Sequence, residues 1–342
     1  MTEFSSFGAG TNSPATFHAI LELLRRECKL SPETEITIEG NPTVTVNKQA
    51  KGQSIETGKL RGFKEIGINR VSLGIQALNN SDLKAMGRDH SFEDGLRSLE
   101  AINLLFDNTT FDMIFGRPNQ RLLSWENELK LALPFAKNHM SIYQLMIEPG
   151  TPLYKLQKKG LLPLPSQETM EDMYYTTIDI MAKHGFDHYE VSSFGRNEVV
   201  GSHNLSYWRG VDYIGIGPGA HGRAVLPAAG YRKCRTYRTL SPEHWLQSCE
   251  EVGHGLRKYE EMTLAECAKE LVVLGLRTKL GVSLSQARAL YSPLDDLLDF
   301  KVLASYAENG FITGSLSGTS HIAPTEKGLA VIDSILSDIL KF

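Results

Sequence analysis

A mainly parallel α/β architecture is expected for roughly the first 195 residues, with a smaller α+β region toward the C-terminus. Three observations lead there. Helix-period stretches alternate with short β-branched or aromatic runs, the spacing of successive βα units. Gly67, Gly116, Gly150 and Gly185 fall at the joints, where turns need positive φ. From residue 262 onward the pattern changes to amphipathic helices around a short Gly/Ser-turned strand pair. On pattern alone, an open doubly wound sheet and a curved partial (β/α) barrel fit the first part equally well.

In chain order, the expected strands are Phe4–Phe7, Glu35–Glu39, Arg70–Ile75, Thr109–Phe115, Met140–Met146 and Asp187–Ser192. Ser13 and Pro14 open the first helix as N-cap and N1, and Phe17, Ile20, Leu21, Leu24 and Leu30 give it an apolar face. Further helices are expected near 56–66, 91–105, 122–136 and 167–184. Residues 200–240 read as long loops, with two Gly-rich pieces and a basic stretch from Arg232 to Arg238. A helix near 242–252 leads to the second region, with helices at Leu264–Arg277, Ser283–Leu290 and Lys301–Glu308. A strand pair at Phe311–His321 and a last helix at Gly328–Leu340 complete a winged-helix-like pattern. The expected division is a domain over 1–240, a linker helix over 241–261 and a C-terminal domain over 262–342.

Composition narrows the function classes. At 342 residues the chain is long enough for about two domains. Its 36 Lys and Arg against 40 Asp and Glu leave a net charge of -4, with no global field to attract nucleic acid or anionic lipid. Residues 262–342 carry seven basic against nine acidic side chains, the wrong sign for a DNA-binding winged helix. No uncharged apolar run reaches the ~18 residues of a membrane span. Met1–Gly10 carries Glu3, no Arg and no apolar stretch, so it reads as neither signal nor transit peptide. Cys28, Cys234, Cys249 and Cys267 are scattered, without Cys-x-x-Cys spacing.

Position carries more information than composition. The strands end, on their C-terminal side, in groups that a core strand does not need: Gly8-Ala9-Gly10-Thr11, Glu39-Gly40-Asn41-Pro42, Gly74-Ile75-Gln76 and Gly116-Arg117-Pro118. In parallel α/β folds ligands sit beyond the carboxyl ends of the strands. Asp112, flanked by Phe111, Met113 and Ile114, is costly inside an apolar strand unless paired, and Arg88 is its expected partner. The set suits a small zwitterionic or nucleoside-like ligand. Taken singly, each member also fits a turn, a cap or a structural ion pair.

Outside the strands, Ser202-His203-Asn204-Leu205-Ser206-Tyr207-Trp208 combines an imidazole with hydrogen-bonding groups and flat apolar surface, as a heme or similar macrocycle requires. A satisfied loop histidine beside core aromatics is the plainer reading of the same residues. Tyr213-Ile214-Gly215-Ile216-Gly217-Pro218-Gly219-Ala220-His221-Gly222 is a tight glycine loop; with no helix after it, it is no dinucleotide fingerprint.

Those motifs occur in a characteristic order, together with Asn69-Arg70-Val71-Ser72, Gly87-Arg88-Asp89-His90 and Tyr189-Glu190-Val191-Ser192. As an ordered set over nearly the whole chain they resemble the HemW-type heme chaperones. These are radical S-adenosylmethionine (SAM) proteins related to oxygen-independent coproporphyrinogen oxidase, and the mitochondrial eukaryotic members are the most similar. The resemblance implies a radical SAM-type partial (β/α) barrel with SAM at its top. Gly10 and Thr11 would then meet the methionyl end and Glu39 the amino group or ribose. Gln76, Arg88 and Asp112 would meet the rest of SAM, with His221 and Met146 at further pocket positions. It also implies heme binding by His203, Asn204, Tyr207 and Trp208, His203 being the candidate axial ligand to the heme iron and Cys234 its competitor. Heme-accepting proteins become the implied partners and the mitochondrion the implied location, with the cytoplasm as the alternative.

The departures from the family matter too. Members of the group carry a Cys-x-x-x-Cys-x-x-Cys loop for a 4Fe–4S cluster after an earlier strand, and none of the four cysteines has that spacing. Ala9 and Asn12 stand where the family has Gly and Pro. The chain thus reads as starting one strand late, as a truncated isoform or incomplete gene model, with an unpaired Phe4–Phe7 edge. Without the cluster no SAM cleavage is expected, because reductive cleavage is the cluster's chemistry. A heme-binding chaperone is therefore expected ahead of the alternative, a coproporphyrinogen III oxidase-like radical SAM enzyme.

Overall fold

Parallel strands alternating with helices build the first of two units, Met1–His203; the second is Asn204–Phe342. The structure, a computed structural model, describes residues 2–5, 13–42, 57–314 and 321–341. The first unit runs β1 (Thr2–Ser5), α1 (Pro14–Glu27), β2 (Ile36–Gly40), α2 (Thr57–Glu65), β3 (Arg70–Gln76), α3 (Asn80–Ala85), α4 (Phe92–Leu105) and β4 (Asn108–Phe115). It continues through α5 (Leu122–Ala132), β5 (His139–Gln144), α6 (Pro152–Lys158), α7 (Gln167–Lys183), β6 (Asp187–Glu190) and β7 (Ser193–Gly195). The boundary between the units falls inside the short α8 (Ser202–Trp208).

Local chemistry sets the helix starts. The Ser13 hydroxyl accepts the Thr16 N–H at 3.3 Å, and Pro14 follows as the first helical residue, so α1 begins where the cap pattern puts it. At α4 a capping box closes: Asp94 N–H donates to Ser91 Oγ at 3.1 Å and Ser91 N–H to the Asp94 carboxylate at 3.0 Å.

The sheet order is β1-β2-β3-β4-β5-β7-β6, with β1 through β5 parallel. Strand β1 lies at one edge and pairs with β2 alone among the described residues. The far end departs from expectation. Asp187–Ser192 is not one strand: the chain turns after Glu190, whose carboxylate accepts the Ser192 N–H at 3.2 Å, and β7 returns antiparallel between β5 and β6.

The register separates two faces. Ile36, Ile38, Val71, Leu73, Ile75, Phe111, Met113, Met140 and Ile142 form one face, buried against Phe17, Leu21, Phe63, Ile102, Trp125, Leu129, Met173 and Met181 of the helices. The alternate residues form the other: Thr37 and Glu39 on β2, Arg70, Ser72 and Gly74 on β3, Thr110 and Asp112 on β4, His139, Ser141 and Tyr143 on β5. Helices cover the apolar face, and the polar face is where chemistry gathers.

The second unit holds β8 (His221–Leu226), β9 (Arg232–Arg238), α9 (Pro242–Val252), β10 (Leu256–Glu261), α10 (Leu264–Gly275), β11 (Val282–Ser283) and α11 (Leu284–Leu290). It ends with α12 (Phe300–Glu308), β12 (Ile312–Gly314), β13 (His321–Pro324), α13 (Glu326–Ala330) and α14 (Ile332–Ile339). Two antiparallel three-stranded sheets result, β10-β9-β8 and β11-β13-β12. The stretch expected as loops thus contains α8 and the hairpin β8–β9. Charge concealed the period of two: Cys234 and Thr236 are buried, while Arg235 pairs with Glu266 at 2.8 Å and Arg232 with Glu261 at 2.6 Å. The expected final helix is two pieces, α13 and α14, separated at Val331. Among the described residues no helix is long and apolar enough to cross a membrane.

Candidate functional site

The polar face of the first sheet concentrates ionisable groups at its carboxyl end. Asp112 faces Gly74 on β3 and Ser141 on β5. Desolvation pushes its pKa up to about 6, against the pull of Arg70, a Ser141 hydrogen bond and Arg88. The partner expected from sequence, Arg88, is the weakest of the three, and buried Arg70 leads. Tyr143 stands one strand over, its phenol held well above the usual range by desolvation and by the Asp112 charge.

Gln76 occupies a special position. Its φ is +70°, in the left-handed region, at a register shift between β3 and β4. A buried cation holds it there: Arg117 Nη1 donates to Gln76 O at 3.2 Å and to Ile114 O at 2.9 Å. The opposite side of the guanidinium pairs with Asp82 at 3.0 Å and with Glu128. The buried Gln76 side chain folds back over Gly74, where an added Cβ would meet its Nε2 at 2.6 Å. Arg88 reaches Asn41 Oδ1 at 3.5 Å, so β2 and β3 and the segment after α3 meet here. Glu39, the residue before the end of β2, is exposed. The structure therefore brings Glu39, Gln76, Arg88 and Asp112 to one edge of one sheet. Met146 lies beyond β5 and is 75% exposed; Gly10 and Thr11 lie outside the described residues.

A second cluster on the same face escaped sequence reasoning. His139 Nδ1 lies 2.7 Å from Thr110 Oγ1 and its Nε2 2.7 Å from Tyr189 Oη, which also accepts the Gly201 N–H at 2.9 Å. Desolvation, aided by Arg70, lowers the His139 pKa to about 3, so the ring is neutral. Desolvation raises the Tyr189 phenol to about 12. The readable signal was the alternation Arg70-x-Ser72-x-Gly74 and His139-x-Ser141-x-Tyr143, which a strand buried on both faces does not show.

Gly201 and Ser202 lead directly into His203, and they attach low on the strands. Ser202 Oγ donates to Glu35 Oε2 at 3.3 Å, and that oxygen also accepts from Asn108 Nδ2 at 3.5 Å. Asn108 begins β4, four residues or about 13 Å of strand before Asp112. The segment that presents His203 thus springs from the amino end of the sheet, and the Gln76–Asp112 group stands at the carboxyl end.

On α8, His203 and Tyr207 are one turn apart. Within the second unit Tyr207 packs edge-on against Tyr213 at 4.4 Å between centroids, and the Arg277 guanidinium lies 5.5 Å from the Trp208 ring centroid. Trp208 Nε1 is buried without a hydrogen-bond partner among the described residues. His221 opens β8 and packs on Tyr237 at 5.0 Å. The glycine loop before it is tight as expected: a Cβ on Gly215 would fall 2.1 Å from His221 O, and Gly217 and Gly219 have φ of +104° and +72°. Cys234, the alternative iron ligand, is buried within β9, and desolvation raises its thiol pKa.

Comparison with known proteins speaks to the family and the fold. The Radical SAM superfamily model matches residues 4–132. The chain is 35% identical over 340 residues to radical S-adenosyl methionine domain-containing protein 1, mitochondrial, of Mus musculus, covering 98% of this chain and 74% of that protein. It is 34% identical over 300 residues to heme chaperone HemW of Bacillus subtilis (strain 168), covering 87% and 75%. The solved coproporphyrinogen III oxidase (HemN) of Escherichia coli, a radical SAM enzyme, aligns with a TM-score of 0.74 at 20% identity, over 95% of this chain and 74% of that one. At that identity the likeness speaks for the fold.

Proposed function

The chain belongs to the family that contains mitochondrial radical S-adenosyl methionine domain-containing protein 1 and the heme chaperone HemW, and we propose that it binds heme and hands it to acceptor proteins. One observation carries this reading: the His203-Asn204-x-x-Tyr207-Trp208 element is intact and folds as a helix of its own. His203 offers the imidazole for the iron. Tyr207 and Trp208 offer flat surface, and the unpartnered Trp208 N–H is a donor suited to a polar edge group such as a propionate. Its eukaryotic relatives are mitochondrial proteins by name, which supports the same location for this chain.

Hemin titration tests the proposal. The chain should develop a Soret band that weakens and shifts in His203→Ala. Identical spectra for the two proteins would remove His203 from the account.

The group at the carboxyl edge of the sheet fits SAM. Glu39 would suit the ammonium or ribose hydroxyls, and Gln76, Arg88 and Asp112 would hold the remainder; Gly10 and Thr11, outside the described residues, and His221 of the second unit stay with the reading only through the family resemblance. When bound, SAM supplies a sulfonium centre between a methionyl zwitterion and adenosine. Asp112, whose pKa desolvation raises to about 6, would offer a carboxylate to its hydrogen-bond donors. A 4Fe–4S cluster does not fit the residues of this chain. The four cysteines lie at the end of α1, in β9, in α9 and in α10, and among the described residues no three His, Cys, Asp or Glu side chains converge to hold a metal. A radical cleavage step is therefore not assigned to these residues.

A further inference from the structure

We propose that Tyr189 and His139 are positioning residues for heme capture: a partly buried hydrogen-bond chain across β4, β5 and β6 fixes the peptide that presents His203. The inference rests on the reading of His203 as the iron ligand, and deepens it by naming what holds that ligand in place.

The chain of contacts is continuous. Thr110 on β4 meets His139 Nδ1 at 2.7 Å, His139 Nε2 meets Tyr189 Oη at 2.7 Å, and Tyr189 Oη accepts the Gly201 N–H at 2.9 Å. Ser202 is gripped separately by Glu35 at 3.3 Å. Two consecutive residues, the last two before His203, are thus tied to the body of the sheet. Side-chain hydrogen bonds of this kind give a ligand a defined direction before its metal arrives, as second-layer partners do at metal sites.

Three features suit the chain to this task. Gly201 fits closely against the chain: a Cβ there would stand 3.1 Å from Tyr189 Oη, 3.4 Å from His139 Nε2 and 3.7 Å from Arg70 Nη2, so the Tyr189 hydroxyl would have to give by a few tenths of an ångström. His139 is buried and kept neutral by desolvation and by Arg70, so its ring offers one donor and one acceptor, as a relay between two hydroxyls needs. The Asp112 group at the carboxyl end shares the field of Arg70 with this cluster, but among the described hydrogen bonds none joins Gln76 or Arg88 to Thr110, His139 or Tyr189. The SAM reading therefore leaves this cluster unexplained, and the heme reading gives it work.

The test compares hemin binding by the whole chain, His203→Ala, Tyr189→Phe and Gly201→Ala, each with its thermal midpoint recorded. Tyr189→Phe deletes only the bridging hydroxyl. It should weaken hemin binding about tenfold and, at saturating hemin, move the Soret maximum toward that of His203→Ala. Gly201→Ala, which keeps every hydrogen-bonding group but crowds the junction, should shift both in the same direction. A purely structural role would lower the folded fraction without moving the band of the protein that does bind, and that result overturns the proposal. So does a Soret position and affinity equal to the parent's in both variants while His203→Ala still differs. If parent and His203→Ala are indistinguishable, the heme-ligand reading itself fails, and the inference with it. Should Tyr189→Phe not fold, Gly201→Ala alone decides by the same readouts.

Discussion

Gly74 shows how one missing side chain arranges another. The Gln76 amide occupies the space where a Cβ at residue 74 would sit, 2.6 Å from Nε2, and Gln76 itself pays for that pose with φ +70°. The left-handed conformation costs a non-glycine residue roughly 1–2 kcal/mol. Gly74→Ala should leave the thermal midpoint nearly unchanged, because the atom it meets is the mobile end of a side chain. SAM affinity, measured by titration calorimetry, should fall about tenfold as the amide swings away; undiminished affinity would exclude the Gln76 amide from the site. Glu39 and Gln76 were readable in the sequence because polar groups at strand ends are anomalous there, and Asp112 because a carboxylate inside an apolar strand is costly. Arg70 and His139 left only a polar alternation along their own strands, and with Tyr189 they gain meaning only from neighbours on other strands.

Secondary-structure elements at the carboxyl edge are tied by a single buried cation. Arg117, on the turn after β4, binds the carbonyls ending β3 and β4, Asp82 of α3 and Glu128 of α5, while Glu128 also accepts the Leu78 N–H at 2.6 Å. Losing one partner of a buried ionic set costs about 3–5 kcal/mol, because the remaining charges stay desolvated. Arg117→Met should lower the urea-unfolding free energy by about that amount. Adding Glu128→Gln should recover part of the loss, and a double variant less stable than Arg117→Met would contradict the ionic account. Element order and most helix starts were legible, from caps such as Ser13-Pro14 and from the glycine joints. The hairpin β8–β9 was not, because Arg232, Lys233, Arg235 and Arg238 mask its alternation until their acidic partners are supplied by β10 and α10. Strand β7 was missed for a related reason: three residues, Ser193–Gly195, carry too little pattern to announce a strand.

For the first unit as a whole, two buried groups give stability opposite pH dependences. The pKa of His139 is depressed from 6.5 to about 3 on folding. Its contribution is full above pH 6.5 and is lost as pH falls toward 3, by about 1.4 kcal/mol per unit. Asp112 is raised from 3.8 to about 6, so the folded state holds the extra proton, and its contribution grows as pH falls from 6 to 4. The two nearly cancel between pH 6 and 4, and below 4 only the histidine loss remains. In urea unfolding at pH 7, 5 and 4, Asp112→Asn should lose stability steeply across that range relative to the parent. His139→Gln should gain it on acidification, and parallel curves for all three proteins would show that neither group titrates as described. By their own local periods and motifs, the residues determined an α/β chain of βα units, its family and the identities of most candidate ligands. Which groups meet was left to the folded sheet. Register alone faced Asp112 with Gly74 and Ser141, and only long-range pairing attached the His203 segment at the amino end of the strands, away from Gln76. Short-range patterns encode the direction a side chain points; partners separated by thirty residues or more along the chain are chosen by the joint burial and hydrogen bonding of the whole sheet.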